Sequence, residues 1–243
     1  MKGKPIYRKI KSAWFSMAYF NYVIFDFDGT VVDTGEGIIK SLQYSFSEMG
    51  REVPDMSELK KFIGPPIHYS YTTYYGVSED QVGEYIRKYR ERYKVKGIYE
   101  CHLYEGMTEL LDSLRAKGIK IGIASSKPQH LIYSVSDYLG ITDKFDAIVG
   151  VKIDDSNHST KTGLVLEAMK QLGAEDKSKV LMVGDRLYDI DGAKGADVKS
   201  CGVLWGYGSE EEFREHGADY IVKSADEIVK ISLYNTKKEL KPL

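Results

Sequence analysis

Two carboxylates two positions apart, Asp26 and Asp28, lie in the stretch Phe25-Asp26-Phe27-Asp28-Gly29-Thr30, directly after the apolar run Tyr22–Phe25. Paired acids followed by glycine are poor strand material, so the chemistry-bearing residues stand where a strand ends. The same arrangement recurs. Ser125-Ser126-Lys127 follows the run Ile119–Ala124, and Gly184-Asp185-Arg186 follows Val180–Val183, with Asp189 four residues after Asp185. Lys161 opens the helical pattern after Ala147–Val149. In open α/β sheets, ligands sit outside the carboxyl ends of the strands, and parallel strands bring these separate stretches to one edge.

Clustered there, Asp26, Asp28 and Asp185 raise one another's pKa and call for a counter-charge. A hard divalent cation with oxygen ligands answers this. Mg²⁺ takes one or two carboxylates and keeps waters and substrate phosphate. A phosphate group at that edge meets Mg²⁺, Lys161, the Ser125 hydroxyl and backbone N–H groups near Gly29. One carboxylate can attack phosphorus to give an aspartyl-phosphate. A second, two residues on, can protonate the leaving oxygen and later deprotonate the water that resolves the intermediate. Phosphoryl transfer asks mainly for positioning and charge stabilisation, which this set supplies.

The elements that hold these residues are legible in the apolar pattern. Besides the runs above, Gly202–Trp205 and Tyr220–Val222 read as short strands. Most are rich in Val and Ile without polar alternation, as in parallel strands covered on both faces. Between them lie helix patterns: Met107–Lys117 stopped by Gly118, Pro128–Leu139 with Pro in the first turn and Gly140 after it, and Thr162–Leu172 ending at Gly173. This alternation predicts a three-layer, doubly wound α/β core with a parallel sheet. After Asp33 the core pattern stops until Gly106. A gap of about 70 residues is far too long for a loop in a compact domain. It reads as helices over Ile38–Met49, Met56–Phe62, His68–Tyr75 and Ser78–Lys94, the last with Ser78 and Gln81 as a capping box. The expected organisation is a basic tail at 1–16, an α/β core at 17–33 and 106–233, a helical cap at 34–105, and a tail at 234–243.

Composition narrows the partners. The chain of 243 residues carries a net charge of −2, 42% hydrophobic residues and 29% charged ones, which is ordinary globular material. Near-neutral charge gives no global attraction to a nucleic acid polymer or an acidic membrane. The charge is a cancellation, because the first 16 residues hold Lys2, Lys4, Arg8, Lys9 and Lys11 and no acid, ahead of an acidic body. That stretch reads as a loose extension rather than a polyanion-contacting arm. No segment reaches the roughly 18 consecutive apolar residues of a membrane span, and two cysteines form no disulfide framework. The expected setting is cytoplasmic, with a monomer and a dimer both open. Of 19 tyrosines, ten fall between Tyr44 and Tyr104. Tyr85, Tyr89 and Tyr93 recur on one helix face, read as cap packing in preference to an aromatic wall for a base or sugar.

With these residues in order, the sequence closely resembles the haloacid dehalogenase-like hydrolase superfamily over about residues 20–230. Asp26-Phe27-Asp28-Gly29-Thr30-Val31-Val32-Asp33 resembles its first motif, Ser125 the second, Lys161 the third, and Gly184-Asp185-Arg186 with Asp189 the fourth. The stretches Phe62-Ile63-Gly64-Pro65-Pro66, Ala124-Ser125-Ser126-Lys127-Pro128 and Val203-Leu204-Trp205-Gly206-Tyr207-Gly208 resemble its phosphoglycolate-phosphatase-like and 5′-nucleotidase-like branch. The resemblance implies Asp26 as nucleophile and Asp28 as general acid/base, with Ser125 and Lys161 at the phosphate. It implies Mg²⁺ held by Asp26, the Asp28 backbone carbonyl and Asp185, with Asp189 in support. Gly29, Thr30 and Ser126 fall beside the substrate, and Gly64 and Pro65 form the cap's specificity loop. One departure is His158, in a Val151–Thr160 segment where the branch often has Gly and Arg.

The expected activity is Mg²⁺-dependent hydrolysis of a small phosphorylated metabolite, of the phosphoglycolate or nucleoside 5′-monophosphate type. A sugar-phosphate mutase would use the same core, and a non-enzymatic module on the fold is disfavoured by the complete acid set. Dehalogenation has no evident use for Asp28 as a leaving-group acid. Among neighbouring residues, Lys127 reads as a surface or loop lysine and Arg186 as a structural partner. Asp33 reads as a turn-orienting residue, and Lys152 as a weaker rival to Lys161.

Overall fold

The computed structural model describes residues 18–152 and 160–234. The expectations about residues 1–16, about His158 and about 235–243 lie outside these. Six strands form one parallel sheet: β1 (Tyr22–Phe25), β4 (Lys120–Pro128), β5 (Ala147–Val151), β6 (Val180–Gly184), β7 (Lys199–Val203) and β8 (Tyr220–Val222), in the order β5-β4-β1-β6-β7-β8. Two further residues on each side, β2 (Val32–Asp33) and β3 (His102–Leu103), pair antiparallel as a separate ribbon.

Alternate strand residues supply two cores. Val23, Phe25, Leu181 and Val183 face α5 (Met107–Ala116), α6 (Gln129–Tyr138) and α10 (Ala225–Tyr234). Ile24, Val180 and Met182 face α7 (Lys161–Leu172) and α8 (Leu187–Ala196). Both faces are therefore apolar, which is why these strands read as continuous hydrophobic runs. A short helix, α9 (Glu210–Glu215), sets the buried Phe213 ring against Gly202 of β7. The chain leaves β1 toward β4 and β5, then returns across the sheet to β6 on the other side of β1. That reversal opens a crevice at the carboxyl end of β1, the usual ligand position in such sheets.

The helical insertion contains α1 (Gly35–Glu48), α2 (Met56–Leu59), α3 (Ile67–Tyr75) and α4 (Glu79–Tyr93). The β2–β3 ribbon ties its two ends together. Four details differ from the sequence reading. The apolar run expected to end at Ala124 continues as strand to Pro128, and Pro128 precedes α6 as its N-cap instead of lying in its first turn. The Met56–Phe62 helix divides into α2 and a single 3₁₀ turn at Lys60–Phe62. Ser78 does precede α4 in an extended conformation, but makes no side-chain cap bond, so the capping box with Gln81 is absent. The strand expected at Gly202–Trp205 instead occupies Lys199–Val203, leaving Trp205 in the following loop.

Most insertion tyrosines do pack. Tyr71 and Tyr85 are buried and meet Phe46, and Phe62 lies against Tyr71 and Tyr75. Helix period alone set Tyr85 and Tyr93 on one face, yet only Tyr85 joins that cluster. Tyr93 leaves it and reaches the core.

Candidate active site

Every polar stretch singled out in the sequence arrives at the sheet's carboxyl edge. The Asp26 backbone N–H continues the β1–β6 ladder by donating to the Val183 carbonyl at 2.8 Å, which fixes where its side chain emerges. Asp26 Oδ1 accepts from the Phe27 N–H at 2.7 Å. Its Oδ2 lies 2.8 Å from Lys161 Nζ. The same ammonium lies 2.8 Å from Asp189 Oδ1 and donates to the Ala124 carbonyl at 3.2 Å. Lys161 heads α7, whose N-cap Thr160 accepts from the Gly163 N–H. It reaches the acids because α8 packs close: a Cβ at Gly192 would overlap the Lys161 stem. Lys152, the alternative cation, is exposed.

Asp185 and Asp189 are each 1% exposed. Thr30 Oγ1 donates to Asp185 Oδ1 at 3.1 Å and the Tyr207 N–H donates to Oδ2 at 2.9 Å. Trp205 Nε1 in turn donates to the Thr30 carbonyl at 3.0 Å, so the loop after β7 braces the loop after β1. Asp189 Oδ2 accepts from the Arg186 N–H at 3.0 Å and so also ties down the start of α8. One oxygen from each of Asp26, Asp185 and Asp189 lies within 4.8 Å of the others.

This is an electrostatically incomplete site. Among the described residues, three buried carboxylates share one ammonium, so with all three ionised two negative charges would lack a counter-charge. Burial, then Asp189 and Asp26, drive the Asp185 carboxyl well above its ordinary value. Burial also lifts Asp189, against the pull of Lys161, to about 6. Burial pulls the Lys161 ammonium down, but Asp189 and Asp26 outweigh it and hold the group above its usual range. A hard divalent cation would supply the missing charge, and an all-oxygen donor set suits Mg²⁺ over softer metals. The residues present fit that ion.

Gly29 makes the first loop possible. It adopts φ +83°, and a Cβ there would overlap the Asp185 carboxylate. Gly29→Ala is expected to cost about 1–3 kcal/mol from the left-handed backbone, and to displace Asp185 as well. Urea unfolding checks the first effect, and a smaller thermal shift on adding Mg²⁺ checks the second.

Asp28 sits apart from the three-carboxylate group. Its Oδ1 accepts from Thr34 Oγ1 at 2.9 Å and from Lys127 Nζ at 3.0 Å, and Oδ2 accepts from the same ammonium at 3.1 Å. Lys127 is therefore no surface lysine. Its side chain is 4% exposed. The cause is a bulge in β4: Ala124 pairs with Val149 and Pro128 with Val151, so the intervening residues outnumber those opposite and the alternation breaks. Ser125 is buried in this bulge, where its Oγ accepts from the Lys127 N–H at 3.3 Å. Ser126 is half-buried beside it.

Asp33 orients the turn, with Oδ1 accepting from the Gly35 N–H at 2.9 Å and from the Tyr207 hydroxyl at 2.7 Å. Arg186 links core and insertion, donating to Glu212 at 3.1 Å and to the Ile63 carbonyl at 3.1 Å. This seats the Gly64-Pro65 turn over the loop after β6, with Gly64 at φ +106° and Pro65 buried.

Comparison with known proteins agrees with this geometry. The family model of the haloacid dehalogenase-like hydrolases matches residues 23–203. A 5′-nucleotidase of Pseudomonas aeruginosa is 35% identical over 80% of this chain and 87% of its own. The tyrosine-protein kinase PtkA of Mycobacterium tuberculosis is 32% identical over 85% of this chain and 67% of its own. The crystal structure of a predicted phosphatase from Clostridium acetobutylicum superposes with a TM-score of 0.82 at 40% identity, covering 87% of this chain and 97% of that one. A family match across most of the chain, on a doubly wound core whose acids and lysine meet at the sheet's switch point, establishes that the chain belongs to the haloacid dehalogenase-like hydrolases.

Proposed function

We propose that this protein is a Mg²⁺-dependent phosphatase that hydrolyses a small phosphomonoester through an aspartyl-phosphate on Asp26. The observation that carries the reading is the buried group of Asp26, Asp185 and Asp189 around Lys161, with Asp28 held separately a short distance along the same loop. Asp26 and Asp185 would hold the metal together with the Asp28 carbonyl, with Asp189 steadying the arrangement through Lys161. Mg²⁺ there would neutralise charge on the phosphate oxygens and allow a carboxylate to approach them.

The protein's own groups supply the rest. An Asp26 oxygen forms a bond to phosphorus as the ester P–O bond breaks, and protonated Asp28 gives its proton to the departing oxygen. Water then attacks the phosphorus. Asp28, now a carboxylate, takes the water proton, and phosphate leaves with Asp26 restored. Lys161 and the Ser125 hydroxyl bind the transferring phosphoryl oxygens. The Gly64-Pro65 turn, standing over the loop after β6, selects the leaving group.

The nucleotidase relative makes nucleoside 5′-monophosphates the first substrates to assay, with phosphoglycolate and pyrophosphate next. The kinase name of the mycobacterial relative makes transfer to a tyrosine peptide the arm to run alongside. Expected is Mg²⁺-dependent phosphate release that EDTA abolishes, with the preferred substrate changed by variants of residues 64–66. Phosphate release from none of these substrates would reject the reading.

The acid cluster also predicts a pH dependence for the metal effect. Asp189 and Asp185 titrate higher in the fold than in the unfolded chain, where Asp is near ~3.9. In the metal-free protein, the Asp189 contribution to stability is present below that value and is lost as pH rises through about 6, and the Asp185 contribution is lost as pH rises through that group's own raised value. Mg²⁺ should therefore raise the melting temperature more at neutral pH than at mildly acidic pH. An equal shift at both would contradict this ligand set.

A further inference from the structure

Lys127 has no part in the scheme above, yet it is the buried cation nearest its proton carrier. Its ammonium has three donors, and the structure gives each an acceptor: Asp28 Oδ1 at 3.0 Å, Asp28 Oδ2 at 3.1 Å and the Tyr93 hydroxyl at 2.7 Å. The Tyr93 ring also lies 5.0 Å from the same nitrogen, and Tyr89 stacks on Tyr93 at 5.3 Å with 14° between the planes. Lys127 comes from the bulge in β4 of the core, whereas Tyr93 comes from the last turn of α4 in the helical insertion. The Lys127 ammonium therefore lies between Asp28, in the loop after β1, and Tyr93 of the insertion.

We infer that Lys127 and Tyr93 form a positioning device for Asp28, through which the helical insertion completes the acid/base apparatus of the core. The inference rests on the hydrolase reading above. A carboxyl group that must gain and lose a proton in one turnover cannot rely on a single hydrogen bond for its orientation. Thr34 anchors one oxygen, and Lys127 spans both. Tyr93 anchors the long, flexible lysine stem, which would otherwise sample many rotamers. When the insertion withdraws, Lys127 loses its third partner and Asp28 its fixed orientation. The cap thus contributes to the chemical steps as well as to selection.

The reaction's two halves separate this role from phosphate binding. An aryl phosphate has a leaving group that departs without a proton, so its first step needs little from Asp28, whereas the second step needs Asp28 as base for any substrate. Lys127→Met is expected to lower kcat by roughly ten- to a hundredfold, with inhibition by inorganic phosphate within about threefold and with KM falling alongside kcat for any substrate on which phosphoenzyme accumulates. With an aryl phosphate, phosphoenzyme should accumulate after an initial burst; with an alkyl phosphate it should not. Tyr93→Phe, which keeps the ring and deletes the hydroxyl, should show the same pattern at a smaller amplitude. A rise in KM and phosphate inhibition constant without trapped phosphoenzyme would make Lys127 a phosphate ligand and overturn the inference.

A second readout needs no turnover and therefore tells failure of this inference apart from failure of the hydrolase reading. In the wild-type protein Lys127 should resist reductive methylation, and in Asp28→Asn and Tyr93→Phe it should react. Ready labelling of Lys127 in the wild type overturns the device whether or not phosphate is released. Protection that persists in both variants overturns it equally.

Discussion

Asp26→Asn protein is expected to fold, to bind Mg²⁺ more weakly, and to lose phosphate release by about 10⁴-fold or more, the scale seen when a nucleophile is removed from a set that works as a unit. The amide is nearly isosteric with the carboxyl group, and its oxygen can still accept from the Phe27 N–H as Asp26 Oδ1 does at 2.7 Å. What it lacks is a nucleophilic anion and a charged metal ligand. Lys161 keeps its second partner, Asp189, at 2.8 Å, so the ammonium is not stranded. Loss of one of three crowded negative charges offsets the lost ion pair, and the metal-free melting temperature should stay close to that of the wild type. The prediction is thus a split: near-normal stability without metal, a reduced Mg²⁺ shift, and no covalent phosphoprotein by intact mass after exposure to substrate. Phosphate release from Asp26→Asn at even a tenth of the wild-type rate would place the nucleophile elsewhere and remove the basis of the proposed mechanism.

Asp26, Asp185 and Lys161 are legible in the sequence because their types are wrong for their local setting. Acids at strand ends such as Asp26 and Asp185 make poor β structure, and the six-strand order β5-β4-β1-β6-β7-β8 explains why they meet. Lys161 was readable for the same reason, as a helix-initial cation behind an apolar strand. Lys127 was not. Its inward orientation depends on the break in pairing between Ala124 and Pro128, and the number of residues opposite a bulge is a property of two strands, not of one sequence. Tyr93 was hidden differently. Helical spacing puts it in line with Tyr85 and Tyr89, but the helix ends there, and its last turn leaves the aromatic cluster of the insertion for the core. The missing cap bond at Ser78 is a smaller case, in which extended backbone geometry and the right residue types were present without the hydrogen bond.

Lys161→Met should be the most destabilising single change at this site. The side chain is 8% exposed, and its ammonium is the cation placed against Asp26 and Asp189, with Asp185 close behind. Methionine fills most of the volume and removes the charge. Deleting one partner of a buried ion pair typically costs about 3–5 kcal/mol, because the remaining charge has neither water nor counter-ion. Here the remainder includes Asp185 and Asp189, both already raised above their ordinary values, chiefly by burial. Added Mg²⁺ should therefore recover part of the lost stability, following the usual dependence of a ligand that binds only the folded state. Activity should not return with it. Loss of a positioned cation from a phosphoryl site costs on the order of 10²–10³ in rate, and the metal cannot occupy the lysine's place while serving its own. Denaturant unfolding with and without Mg²⁺, together with phosphate release from the refolded variant, reads both effects. If Lys161→Met unfolds at the wild-type midpoint in metal-free buffer at neutral pH, the ammonium is not the counter-ion that holds this acid cluster together. The charge balance from which Mg²⁺ was inferred would then have to be drawn with a different cation.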